Sequence, residues 1–192
     1  MLNRSDSSLP PPAIQQIAKM FRLTGWVGFW VQLVLGVVSA LILLFAAISR
    51  EDVSTQVRTA GTGLGIFFSS CGLVVLAVSI YWAFRYTQIA KQLASPSRPR
   101  KEETLNLVQL GLLVSLGGML VAILAGWAIA GSLTAKSLAQ PQGALISASS
   151  IPLIRPLDIF VVQANINTIA AHFAGVLTSL WLLRWLTRPH QS

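Results

Sequence analysis

Four runs of the chain contain no Asp, Glu, Lys or Arg: residues 23–49, 59–84, 104–135 and 159–183. Each exceeds the roughly 20 helical residues needed to cross a hydrocarbon core about 30 Å thick. No water is available there to bind backbone groups, so each run must pair its own N–H and C=O groups, which selects helix. The runs are continuous rather than alternating, so they do not read as the short strands of a barrel. The expected fold is all-α: an integral membrane bundle of four transmembrane helices, spanning about 23–49, 59–84, 104–132 and 158–186. Residues 1–22 form a segment before the bundle, 23–187 the transmembrane domain and 188–192 a tail.

Ahead of the first run, Pro10, Pro11 and Pro12 suit a helix start, where a missing N–H costs nothing. Ile14, Ile17, Ala18 and Phe21 then recur at i, i+3, i+4 and i+7. That spacing predicts an N-terminal amphipathic helix lying along the membrane interface. Residues 95–103, with Pro96 and Pro99, read as a polar turn. A longer, more apolar connection is broken by Pro141, Gly143, Pro152 and Pro156, and Ile151 to Ile154 is expected to touch the membrane. No internal repeat is visible, and the spans do not pair as inverted halves. The residues before 23 match neither a cleaved secretory signal nor an Arg- and Ser-rich transit peptide.

Charge then sets an orientation. Arg4, Lys19 and Arg22 precede the first span; Arg85, Lys91, Arg98, Arg100 and Lys101 follow the second; Arg184 and Arg188 follow the fourth. These ten of the 14 basic residues share one side, against Arg50, Arg58, Lys136 and Arg155 on the other. By the positive-inside rule both termini are cytoplasmic. Trp26, Tyr81, Trp82, Tyr86, Trp181 and Trp185 sit at that end of their spans, at headgroup level, and Trp127 toward the other. A net charge of +8 would suggest nucleic acid for a soluble chain. Here the cations lie between apolar runs, so the expected partner is the lipid bilayer, with no nucleic acid. Cys71 is the single cysteine, which excludes an intrachain disulfide and a four-cysteine zinc site.

Two spans carry the candidate chemistry. In the third, Gly118, Ala122, Gly126 and Ala130 recur at i+4, with Gly111 and Ser115 preceding them. Small residues let helices approach closely; the stripe serves packing within the bundle or a subunit interface. The second span opens similarly, with Gly61 and Gly65. In the fourth, Asp158, Asn165 and His172 fall on one face beside Thr168, and Gln163 and Asn167 on the opposite one. Polar side chains in a bilayer face a bundle interior or a water-filled cavity. Gln32 of the first span is the candidate partner of this polar core. An imidazole with a carboxylate and amide oxygens suits passing coordination of a divalent metal, so His172 and Asp158 are the candidate metal ligands. The same groups suit proton relay or register-setting hydrogen bonds. Asp158 also suits a helix N-cap. No nucleophile–base pair, phosphate loop or His-Glu-x-x-His motif is present, so no enzyme activity and no resident cofactor is expected.

Several motifs carry a family resemblance: FRLTGW at 21–26, FWVQ at 29–32, SIYWAFRY at 79–86, Leu157-Asp158 leading to His172-Phe173, and SLWLL at 179–183. Together they resemble the permease-in-chloroplasts family across about 14–186. Its plant member is a chloroplast inner-envelope protein, also described as a component of the protein translocon there; its cyanobacterial relatives have four spans. The resemblance implies a cyanobacterial plasma- or thylakoid-membrane protein of metal homeostasis, with iron as transported ion. The matching positions are Asp158, Gln163, Asn167, Thr168 and His172. Four helices enclose little space, so a conducting unit is expected to need a homo-oligomer or a membrane partner subunit. The alternative is a non-transporting scaffold for protein translocation or assembly of photosynthetic complexes.

Overall fold

The computed structural model describes residues 12–48, 60–93, 95, 100–138 and 156–187. They form four helices: α1 Pro12–Ile48, α2 Ala60–Leu93, α3 Lys101–Leu138 and α4 Pro156–Thr187. Each is long and apolar enough to cross a membrane. The helices run alternately up and down. Each packs on its neighbours in chain order and α4 closes the ring on α1. Across the diagonals the backbones of α2 and α4 approach each other, whereas those of α1 and α3 stay farther apart among the described residues. The end where α1 begins and α4 finishes is called the near end, and the other the far end.

The amphipathic stretch at the N-terminus is not a separate interfacial helix. α1 runs unbroken from Pro12 through the first span. Its apolar face turns inward instead of toward lipid. Phe21 is fully buried among Tyr86, Ile89, Val108, Leu182 and Leu186, with Ile17 packed alongside. Nothing in the sequence breaks the helix at the membrane boundary, and α2–α4 extend far enough to receive it. The third connection, expected to touch the membrane at 151–154, and the 188–192 tail lie outside the described residues, as does most of the second connection.

The outer surface is apolar: Leu41, Val74, Leu113, Leu120 and Ile166 are all more than half exposed. That surface suits acyl chains, and lipid tails give no hydrophobic drive between helices. The bundle therefore holds together by close packing and internal hydrogen bonds. The buried positions follow a three-then-four spacing. In α3 they are Thr104, Val108, Gly111, Ser115, Gly118, Ala122, Ala125, Ile129 and Ser132. In α4 the same rhythm takes in Asp158, Val161, Asn165, Thr168, His172, Gly175, Ser179, Leu182 and Leu186. A seven-residue repeat underwinds the helices into a left-handed bundle. The repeat escapes an apolar search because small and polar residues, rather than leucines, occupy most of it.

This rhythm also explains where the third-span stripe leaves the seam. Gly111, Ser115, Gly118 and Ala122 are buried, Gly126 is half-buried and Ala130 is exposed. Steps of four turn about 40° past a full revolution each time, so successive i+4 positions drift off the contact. The buried part of the stripe packs within the bundle.

Candidate functional site: a polar core between apolar plugs

The bundle interior is layered along its axis. An apolar cluster around Phe21, Val108 and Leu182 closes the near end. A smaller one, Ala46, Ile129 and Val161 with Leu43, Leu133 and Leu157, closes the far end. Between them lie most of the buried polar side chains, Gln32 and Ser39 from α1, Ser69 and Ser79 from α2, Ser115 from α3, and Asn165, Thr168, His172 and Ser179 from α4, interleaved with Leu76, Val176 and buried alanines. From Asn165 to Ser179 this stretch is about 21 Å long at 1.5 Å per residue.

Small residues make the room. A Cβ at Gly118 would overlap the His172 ring, so the imidazole lies directly on the α3 backbone. The ring is fully buried, and its Nε2 lies 3.2 Å from the Gly72 carbonyl oxygen across the α2–α4 diagonal. A carbonyl only accepts, so Nε2 carries the hydrogen, and in a neutral ring Nδ1 then holds the lone pair. One turn toward the near end, three helices converge on Gly175. A Cβ there would meet Ser115 Oγ at 2.6 Å and both Gln32 Nε2 and Ser79 Oγ at 3.2 Å.

Hydrogen bonds tie these levels together. Ser79 and Ser115 share one of 2.9 Å, and Tyr86 Oη and Ser179 Oγ one of 3.1 Å. Ser39 donates to the Ala164 carbonyl at 2.9 Å, as Thr168 does from within α4. Four buried atoms nevertheless make no hydrogen bond among the described residues: Gln32 Oε1, Ser69 Oγ, Asn165 Oδ1 and His172 Nδ1. Two are carbonyl oxygens, one is a hydroxyl and one an imidazole nitrogen. All four accept, and buried polar atoms are normally paired. The set fits an electron-pair acceptor such as a cation, or a hydrogen donor.

Of the positions expected to form the polar core, Gln32, Asn165, Thr168 and His172 come together inside the bundle. Gln163 and Asn167 do not. They lie on the outer face of α4, where Gln163 Nε2 donates to Asn167 Oδ1 at 3.0 Å. Helical geometry separated the two faces but did not say that only one points inward. Asp158 is the third residue of α4 rather than its N-cap. Its carboxylate faces Lys136 Nζ from the last turn of α3, at 3.1 and 3.2 Å. It lies 14 residues from His172 on the same helix, about 21 Å along the axis. The two candidate metal ligands are therefore not brought together. Among the described residues no three His, Cys, Asp or Glu side chains cluster as a metal site.

The Lys136–Asp158 pair staples α3 to α4 beyond the far plug. Both side chains are mostly buried, at 15% and 10% exposure. Lys136→Met is expected to cost about 1–2 kcal/mol, less than for a fully dry pair because both partners retain some solvent contact. Reversible unfolding in mixed detergent micelles measures it. Adding Asp158→Asn should recover part of the loss, since the carboxylate charge then no longer faces an apolar side chain.

Sequence reading missed Ser39, Ser79, Ser179 and Tyr86. The serines are inconspicuous in apolar helices. Tyr86 read as a headgroup anchor, but it is 2% exposed and bonded to Ser179, because α2 continues inside the bundle to Leu93. Trp82 likewise turns its Nε1–H to the Leu107 carbonyl at 3.2 Å. The seven-residue spacing of small and polar positions was the signal that would have found them.

Comparison with known proteins places this architecture. Residues 11–187 match a family model described as "Protein of unknown function (DUF3611)". Protein TIC 21, chloroplastic, of Arabidopsis thaliana is 32% identical over 186 residues, covering 92% of this chain and 60% of that protein. The chain thus spans about three fifths of the length of that relative. No solved structure matches. The chain is an integral membrane protein of the DUF3611 family, and its identity with TIC 21 bears out the resemblance to the permease-in-chloroplasts proteins.

Proposed function

We propose that this protein passes a divalent transition-metal ion, iron in the first instance, across a cyanobacterial membrane by way of the polar core. The observation that carries the reading is the set of unpaired acceptors, Gln32 Oε1, Ser69 Oγ, Asn165 Oδ1 and His172 Nδ1. Imidazole nitrogen with neutral oxygen donors suits a divalent first-row metal. With no buried carboxylate joining them, such groups hold a metal weakly. Conduction needs that: binding must be favourable enough to enter and weak enough to leave. Of the two roles that the family resemblance implies, iron permeation and protein translocation, the first agrees with this reading.

In this reading the near and far apolar clusters are the two barriers of a closed state, and passage requires them to part in turn. Both termini face the cytoplasm, where the positive-inside rule places the near end. His172 offers its Nδ1 lone pair at the centre, while Gln32 and Asn165 supply amide oxygens on either side of it. The competing reading, a membrane scaffold, draws on the tightness of this same packing.

Fe2+ uptake into vesicles containing the purified chain tests the proposal. Asn165→Ala removes one acceptor at the far side of the core without touching the His172 contact to Gly72. Uptake should fall about tenfold, equivalent to about 1.4 kcal/mol of lost stabilisation at the barrier. Uptake equal to that of the unsubstituted chain refutes a path through Asn165.

A further inference from the structure

The outer face of α4 presents two side chains that do not belong against lipid. Gln163 is exposed and Asn167 half-buried, on the surface of the bundle rather than inside it. Asn167 lies eight residues into the charge-free run that begins at 159, about 12 Å deep in a hydrocarbon core of about 30 Å. Amide groups are costly at that depth unless they face protein. Their mutual bond satisfies one hydrogen of Gln163 and one lone pair of Asn167. An amide has two donors and an acceptor oxygen with two lone pairs, so most of this ladder's capacity is left over.

The same face carries a second, independent feature. Ala170 and Ala174 stand four residues apart, exposed and half-exposed. With Gln163 and Asn167 they span an arc of about 60° on α4. Small residues at i and i+4 allow another helix to approach to backbone contact, and polar side chains beside them bond across the gap. The outward face of α3 carries leucines such as Leu113 and Leu120 beside Gly117, with no Asn or Gln between 110 and 133.

We infer that this face of α4 is a dimer interface and that its occupant is a second copy of this chain. The leftover groups are self-complementary. A copy related by a two-fold axis along the membrane normal sets Gln163 opposite Gln163 and Asn167 opposite Asn167 at equal depth; each of these amides keeps both a free N–H and a free lone pair, so each donor meets an acceptor, as in an isologous contact. The α4 helices cross at Ala170 and Ala174, with the amide ladders paired one to two turns toward the far end. Each four-helix unit keeps its own polar core, so the interface stands whether or not that core carries iron.

The test uses the full-length chain, purified and reconstituted in phosphatidylcholine vesicles, with Cys71→Ser removing the native thiol. Oxidative crosslinking of Ala170→Cys should give a covalent dimer, at a yield about tenfold above that of Leu120→Cys on the outer face of α3. Adding Gln163→Leu and Asn167→Leu should lower the Ala170→Cys yield several-fold at the same protein-to-lipid ratio. Equal yields at the two positions, no dimer at Ala170→Cys, or an undiminished yield after the leucine replacements would overturn the proposal. Detergent-corrected light scattering of the unsubstituted chain gives a reading free of substitutions. Twice the chain mass of 20.7 kDa supports the interface, and a single-chain mass at every concentration overturns it.

Discussion

Gly118→Ala should destabilise the bundle by about 3 kcal/mol, at the top of the usual range for forcing extra volume into a packed core. One methyl group has this effect because of what lies opposite. The new Cβ would occupy space now filled by the His172 ring. The ring has nowhere to go: it is fully buried, and its Nε2–H is engaged with the Gly72 carbonyl on the far side of the bundle. Either α3 must move away from α4, opening the seam above and below, or the imidazole must leave its bond and rotamer. A coupled substitution separates this collision from any intrinsic effect of alanine in a helix, which by propensity alone would favour the change. In a His172→Ala background the cost of Gly118→Ala should nearly vanish. Reversible unfolding of the four proteins in mixed micelles gives the coupling energy directly. Equal costs in the two backgrounds would mean that Gly118 is not the socket of His172.

His172→Phe should leave the fold standing and have a large effect on transport. Phenylalanine keeps a planar ring in the space beside Gly118 and adds about one methylene group of volume there, at a cost of about 1–3 kcal/mol. It loses the bond to Gly72, and hydrogen bonds between membrane helices average only about 0.6 kcal/mol. It also loses Nδ1, the lone pair on which the proposed metal contact depends. The fold should therefore survive at a loss of about 2–4 kcal/mol. His172→Ala is a poorer probe, since the cavity it leaves mixes packing loss with chemical loss.

The four spans were legible because hydropathy over 25 or more residues is a strong signal, and the membrane permits almost nothing but helix there. Gln32, Asn165, Thr168 and His172 were legible as core because an uncompensated polar group in lipid is costly, and the structure buries all four. The same argument misplaced Gln163 and Asn167. It can say that an amide needs a partner, but the choice between the same bundle and another one is made by tertiary packing. Gly72, Ser79, Gly175 and Ser179 were hidden for the opposite reason. Glycine and serine sit in apolar helices at little cost, so singly they carry no signal, and their importance lies in the repeat they share. The extent of the helices also escaped the sequence. Charged residues such as Arg22 and Arg85 marked the membrane edge, whereas α1 and α2 run straight through them and pack Phe21 against Tyr86 and Ile89. A charge ends the lipid-facing stretch but does not end a helix.

The proposed function rests on one chemical claim: that the unpaired acceptors of the polar core contact a metal ion in transit. The most direct measurement is the initial rate of Fe2+ entry into sealed vesicles of the purified chain, beside the His172→Phe chain reconstituted at equal density and verified as folded. Metal entry through the core gives a rate well above that of protein-free vesicles, and one that falls about tenfold or more with His172→Phe, or about 1.4 kcal/mol of barrier. A rate no higher than protein-free vesicles, or an equal rate for the two chains, would contradict it.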